Sequence, residues 1–222
     1  MFIGHFAVGL AGRRLTPRVS LGTWFLSVQW LDLVWPILLL AGLEHVRIDP
    51  GNTALTPLDF YDYPITHSLV AVLGWSALFG GVFYARRRDL TGAALLGAGV
   101  ASHWLLDALT HRPDLPLWPG GPMVGLELWR SVPLTMAVET AMFAAGVVLY
   151  VRATRPLDRT GRIAFWSLVG LLYALYLANI FGPPPPSLGA LEGGALAAWL
   201  FVPWAYWIDR HREGVETKRV DQ

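Results

Sequence analysis

The stretch Gly99-Val100-Ala101-Ser102-His103-Trp104-Leu105-Leu106-Asp107-Ala108-Leu109-Thr110-His111 decides the reading of this chain. It sets a histidine and an aspartate four residues apart inside an apolar run. On a helix that spacing stacks both side chains on one face, one turn apart. An imidazole and a carboxylate on one stripe of an apolar helix need a partner, because an isolated charge in such a setting is costly. A divalent metal ion is one such partner, and the question becomes whether the rest of the chain supplies the other ligands.

The surroundings are a membrane. Of 222 residues, 54% are hydrophobic and only 15% charged, and the mean hydropathy is +0.45. Ordinary soluble domains carry about 25% charged residues. The net charge of +1 gives no global field to recruit nucleic acid, so the expected partners are membrane lipids and a lipid or other membrane-associated substrate. Cysteine is absent, which excludes disulfides, thiolate ligands and cysteine nucleophiles. Any metal is therefore held by His, Asp and Glu, a donor set that suits zinc or a harder cation. The opening Met1-Phe2-Ile3-Gly4-His5 has no basic n-region, and no removable signal peptide is expected.

Six long apolar runs cover about residues 20–43, 65–85, 90–110, 132–151, 161–181 and 188–208. A shorter run at 2–12 falls below the roughly 20 residues that a spanning helix needs and suggests a half-helix tucked among longer ones. The predicted fold is all-α: a polytopic membrane bundle of about six transmembrane helices plus a short N-terminal half-helix. Residues 1–211 form one membrane-embedded domain and 212–222 a polar cytoplasmic tail. Basic residues fall in alternate connections: Arg13, Arg14 and Arg18; Arg86 to Arg88; Arg152, Arg155, Arg159 and Arg162; then Arg210, Arg212, Lys218 and Arg219. The intervening connections are acidic or rich in Pro and Gly. This alternation predicts a multi-pass protein of a cytoplasmic (inner) membrane with both termini in the cytoplasm. Trp24, Trp118, Trp129, Trp204 and Trp207 lie near run ends, where aromatic belts sit. Ala93, Gly97 and Ala101 give the central run a small-residue face for close packing.

That topology sets depth, at about 1.5 Å of rise per residue. His103 lies roughly 22 Å from the cytoplasmic side, counted from Arg88, and Asp107 one turn further out. Asp32 comes to roughly 21 Å from Arg18 and Glu139 to roughly 20 Å from Arg152. His67 enters from the outer face, and His5 reaches mid-depth if residues 2–12 fold inward. The acids and histidines thus share one layer, the outer half of the bilayer. Candidate metal ligands are His5, Asp32, His67, His103 and Asp107. A carboxylate left unligated among Asp32, Asp62 and Glu139 would serve as general base. Pro64 opens the second run, with Asp62 or Thr66 as caps, so free N–H groups beside His67 would favour an anion.

Taken in order, Gly4-His5, Asp32, Thr66-His67-Ser68, Ser102-His103 with Asp107 and Thr110, and Leu117-Trp118-Pro119 resemble the pattern of the YdjM-like bacterial inner-membrane family, described as metal-dependent hydrolases. The resemblance covers roughly residues 1–120. The His-x-x-x-Asp pair is also similar, less closely, to helical zinc-dependent phospholipase C. Two departures stand out. Asp62 occupies a position where the family often has histidine, and the first-helix motif, often two acids with an adjacent His, is reduced to Trp30-Leu31-Asp32-Leu33. Asp62 would substitute as an oxygen ligand, and the ion count, one or two, stays open.

The expected chemistry is hydrolysis of an ester or phosphoester of a membrane-associated substrate. A zinc-like ion with an open position lowers the pKa of bound water to about 7. His111, Arg112 and Arg130 are placed at the outer surface, where they would meet a phosphate or leaving group. The loop Arg112 to Pro122 would cover the site as a lid or rim. Two rivals compete: a non-catalytic metal-binding membrane protein, a carrier or regulatory scaffold, and a haem protein with paired axial histidines. Intramembrane proteolysis is disfavoured, since no His-Glu-x-x-His is present.

Overall fold

The computed structural model describes residues 1–215. Among the described residues five helices are long and apolar enough to cross a membrane: α5 (Leu69–Arg87), α6 (Leu90–Thr110), α7 (Val132–Ala153), α8 (Arg159–Phe181) and the nearly continuous Leu188–Arg210, made of α9 (Leu188–Ala197), a 3-10 turn and α10 (Phe201–Arg210). A sixth span is the pair α2 (Leu21–Val28) and α3 (Trp30–Leu40), bent by 55°. All-α architecture is therefore observed. The exposed surfaces of these helices are apolar, with Leu73, Leu105, Leu134 and Ile163 among the large side chains left uncovered. Only helices that satisfy their own backbone can present such surfaces to lipid.

Residues 20–43 read as one continuous run, but the chain breaks at Gln29. The cause is a side chain inserted at the backbone ladder, a recognised source of sharp kinks: His103 Nδ1 lies 2.7 Å from the Val28 carbonyl. The break puts Asp32 in the first turn of α3. The run 65–85 breaks likewise, into α4 (Pro64–His67) and α5, at an extended Ser68 whose hydroxyl caps Ala71 N.

α1 (Ile3–Leu15) is the expected short inner helix, and most of its residues are buried. It is held by close approaches that only glycine permits. A Cβ on Gly146 of α7 would stand 2.6 Å from the Ala7 carbonyl oxygen, and one on Gly12 would stand 2.5 Å from the Trp24 ring. α5 and α6 approach just as closely: a Cβ on Gly80 would fall 2.8 Å from the Ala93 carbonyl oxygen, on the small-residue face read from sequence. Trp24 is not an interfacial anchor. It is buried in the core, where its indole N–H donates to Thr16 Oγ1.

Three small antiparallel ribbons complete the described residues. β1 (His45–Ile48) pairs with β2 (Leu58–Asp62), and β3 (Leu115–Pro116) with β4 (Met123–Val124). β5 (Thr154–Pro156) pairs with β6 (Arg212–Gly214). This last ribbon ties residues 212–214, assigned to the tail from sequence, to the connection between α7 and α8. Residues 216–222 of that tail lie outside the described residues.

Candidate metal centre

Four separate segments each deliver a polar side chain to one point. α6 gives His103 and Asp107, α3 gives Asp32, α4 gives His67 and α1 gives His5. His103 Nε2 lies 3.5 Å from Asp32 Oδ1 and 3.2 Å from Asp107 Oδ2, and His67 Nε2 lies 3.6 Å and 3.8 Å from the same two oxygens. His5 stacks on His103 with ring centroids 3.6 Å apart and puts Nε2 3.1 Å from Asp107 Oδ1. His5, His67, His103 and Asp107 are buried, whereas the Asp32 side chain is 37% exposed.

The hydrogen bonds behind the imidazoles fix what their front atoms can do. A carbonyl oxygen only accepts, so His103 donates from Nδ1 to Val28 and, as a neutral imidazole, presents a bare Nε2. At His67 the chain is one link longer. Thr66 donates its hydroxyl to Glu44 Oε2 at 2.7 Å and accepts from His67 Nδ1 at 2.7 Å, so His67 Nε2 is bare as well. Two imidazole lone pairs thus face two carboxylate oxygens at 3.2–3.8 Å. No proton lies between them by this accounting, and His103 Nε2 has no hydrogen-bond partner. Four acceptors aimed at one another repel unless a cation sits among them. Their four nitrogen–oxygen spacings, 3.2–3.8 Å, come near the separation of about 3.3 Å between tetrahedral ligands at 2.0–2.1 Å from zinc. Two overlapping triads, His5–His103–Asp107 and Asp32–His67–His103, have ligand geometry suited to an ion. His103 is common to both, while Asp107 turns one oxygen to each side.

Supporting groups that sequence reading missed orient this cluster. Glu44, buried and distant in sequence, accepts from Ile65 N and Thr66 N at 2.7 Å. It caps α4 in place of Asp62 or Thr66, and it occupies the anion position expected beside His67. Glu139 of α7 accepts from Phe2 N at 2.9 Å and Gly4 N at 3.2 Å through Oε2 and so anchors the start of α1. Its Oε1 has no partner. The Met1 amino group bonds Asp107 Oδ1.

The remaining residues singled out from sequence lie at different distances. Asp62 is not in the cluster: it pairs with His45 across the β1–β2 ribbon at 2.8 Å and is half exposed. His111 is buried rather than superficial, with Nδ1 2.9 Å from Asp114 Oδ1 and Nε2 4.0 Å from Asp107 Oδ1. Burial holds this imidazole below the ordinary histidine value and pushes the neighbouring Tyr63 phenol well above its own. Arg112 is taken up by Asp59 and Asp114. Arg130 pairs with Glu127 and is largely exposed; with Arg112 it lines a separate cavity of about 130 Å³.

A second, larger cavity of about 860 Å³ opens onto the cluster at Asp32, His67 and Asp107. The segment that reaches over it is Pro50–Leu58, not the expected 112–122 loop, which folds back on itself through β3 and β4.

A family model described as YdjM inner membrane protein matches residues 1–183. The chain belongs to that family. With its long apolar helices, this YdjM family member is a multi-pass inner membrane protein. The match runs past the motif region read from sequence and takes in Glu139. Neither the curated proteins nor the solved structures contain a match.

Proposed function

We propose that this YdjM family member is a membrane-bound metal-dependent hydrolase acting on an ester or phosphoester of a membrane-associated substrate. The observation that carries the reading is the set of four facing acceptors, His67 Nε2, His103 Nε2, Asp32 Oδ1 and Asp107 Oδ2, at 3.2–3.8 Å with a cavity at their edge. His5 lies on the far side of Asp107, which leaves room for one ion or two. A zinc-like ion there supplies Lewis acidity and an activated water. The chain's own residues do the rest. Asp32, the one exposed member, faces the cavity, and Glu139 lines it with a free oxygen. Glu139 takes the proton of the attacking water and returns it to the leaving alcohol as the acyl or phosphoryl C–O or P–O bond breaks. Asp62 has no part in this. By the charge alternation the site lies in the outer half of the bilayer and the C-terminal end is cytoplasmic; the cytoplasmic N-terminus expected from the same alternation does not fit, because the Met1 amino group is buried at the site on Asp107.

A second reading has one observation behind it. Four protein donors are the complement of a structural zinc site, whereas catalytic sites keep one position open; on that count the protein holds metal without turnover. Proteoliposomes carrying wild type or Glu139→Gln, incubated with mixed phospholipids and acylglycerols and read by mass spectrometry, separate the two. Loss of a lipid ester with wild type and not with the variant supports hydrolysis. Metal-loaded wild type that leaves every lipid intact favours the structural reading.

A further inference from the structure

The large cavity gathers its carboxylates and imidazoles at one end, with the uncharged polar side chains of Thr53, Thr56, Tyr176 and Asn179 elsewhere in its lining. Gln29, Asp32, His67 and Asp107 meet it at the cluster, and from there it runs between α3, α8 and α9 past Leu175, Ile180, Leu191, Ala195, Ala198 and Phe201. Over Ala190–Phe201 the apolar wall extends roughly 16 Å at about 1.5 Å per residue, far longer than a headgroup. At about 860 Å³ the cavity stands near the top of the range for small-molecule sites, roughly 300–1,000 Å³.

Two observations say what fills it. The first is α9 itself: it is apolar, it packs on α3, and yet none of its residues is buried. The Pro183–Pro186 connection enters the cavity lining where α8 and α9 part, and the outward faces of both helices are apolar. A mouth between these two spans would give onto lipid, not water. The second is charge. Among the described residues lining the cavity there is no Lys or Arg; its carboxylates Asp32, Asp107 and Glu139 and the Met1 amino group are gathered at the cluster, and the far walls carry no charge, as a hydrocarbon chain requires.

We infer that the cavity between α3, α8 and α9 holds the hydrocarbon tail of a membrane lipid, with its headgroup and ester linkage at the His67–Asp32 end. This rests on the hydrolase reading only for the fate of the linkage; the seating of the tail stands apart from turnover. The tail enters sideways from the bilayer between α8 and α9.

The test uses the full chain in nanodiscs containing a phosphatidylethanolamine with a diazirine in one acyl tail. Light-driven cross-links are mapped by peptide mass spectrometry on wild type and on Gly194→Trp. A Cβ at Gly194 meets nothing within 4 Å, so the indole fills the cavity without displacing backbone, and metal content reports that the fold is kept. The expected result is labelling concentrated on residues 175–182 and 190–201, reduced at least several-fold by Gly194→Trp with metal retained. Labelling spread evenly over the outer faces of α5, α7 and α8, unaffected by Gly194→Trp, would overturn the inference. Because the cross-link needs no turnover, cavity labelling in a protein that hydrolyses nothing would sink the hydrolase and spare the lipid site.

Discussion

The hydroxyl of Thr66 is the most informative single group to remove. It stands between a buried carboxylate and an imidazole that faces the cluster, with both contacts at 2.7 Å. Thr66→Val keeps the volume and deletes both bonds. Glu44 Oε2 then loses a donor and His67 Nδ1 loses its acceptor, each in a buried setting. An orphaned buried polar group costs about 1–3 kcal/mol. Part of that is recovered if His67 moves its proton to Nε2, but that tautomer presents N–H instead of a lone pair to the ion. Loss of such an outer-shell partner typically lowers metal affinity about 10- to 100-fold, or about 1.4–2.7 kcal/mol at 1.36 kcal/mol per decade. Zinc affinity of detergent-purified protein, measured by competition with a chromogenic chelator, reads this directly. Thr66→Ser keeps the hydroxyl and is expected within a few-fold of wild type. Equal affinity for wild type and Thr66→Val would refute the tautomer argument, and with it the claim that His67 Nε2 is a ligand.

Other perturbations separate the parts of the account. Asp62→Ala should leave metal content unchanged, since its carboxylate is engaged by His45 away from the cluster; metal loss in this variant would place the centre elsewhere. Glu139→Ala strips the acceptor from two backbone N–H groups at the start of α1. By the same cost of about 1–3 kcal/mol per group it should lower the melting temperature in detergent, whereas Glu139→Gln, which keeps an acceptor, should fall less. Gly146→Ala drives a methyl against the Ala7 backbone and is expected to cost about 1–3 kcal/mol by thermal unfolding; Gly74→Ala, which meets nothing within 4 Å, should cost none. Asp158 is held below the ordinary carboxylate value by Gly161 N–H and His211. Its stabilisation is therefore full above pH 3.8 and lost as pH falls through the lower folded value, and Asp158→Ala should flatten the acid limb of the melting curve.

Much of this was legible from residue order. Spans follow from apolar length, and His103 and Asp107 share a face because α6 runs unbroken through both. His5, Asp32 and His67 could be placed with them because charge alternation sets depth along each span. What escaped was everything set by contacts between distant segments. The break at Gln29 has no Pro or Gly to announce it; it is made by an imidazole 75 residues away in sequence taking the Val28 carbonyl. Glu44 looks like an ordinary loop acid, and only the approach of α4 turns it into a cap. Asp62 was favoured because it stands where the resembling family often has histidine, but the ribbon pairs it with His45 instead. His111 and Trp129 looked superficial because both follow or precede long spans, yet their rings pack 4.1 Å apart beneath the Pro50–Leu58 segment.

The central claim is that two imidazole nitrogens and two carboxylate oxygens share one cation. X-ray absorption at the zinc edge, on protein purified without chelator, tests it most directly. The account predicts stoichiometric metal with a nitrogen and oxygen shell at about 2.0–2.1 Å, outer-shell scattering from at least two imidazoles, and loss of the signal in His103→Ala. Protein that binds no metal, or a metal shell without imidazole that survives His103→Ala, would contradict it.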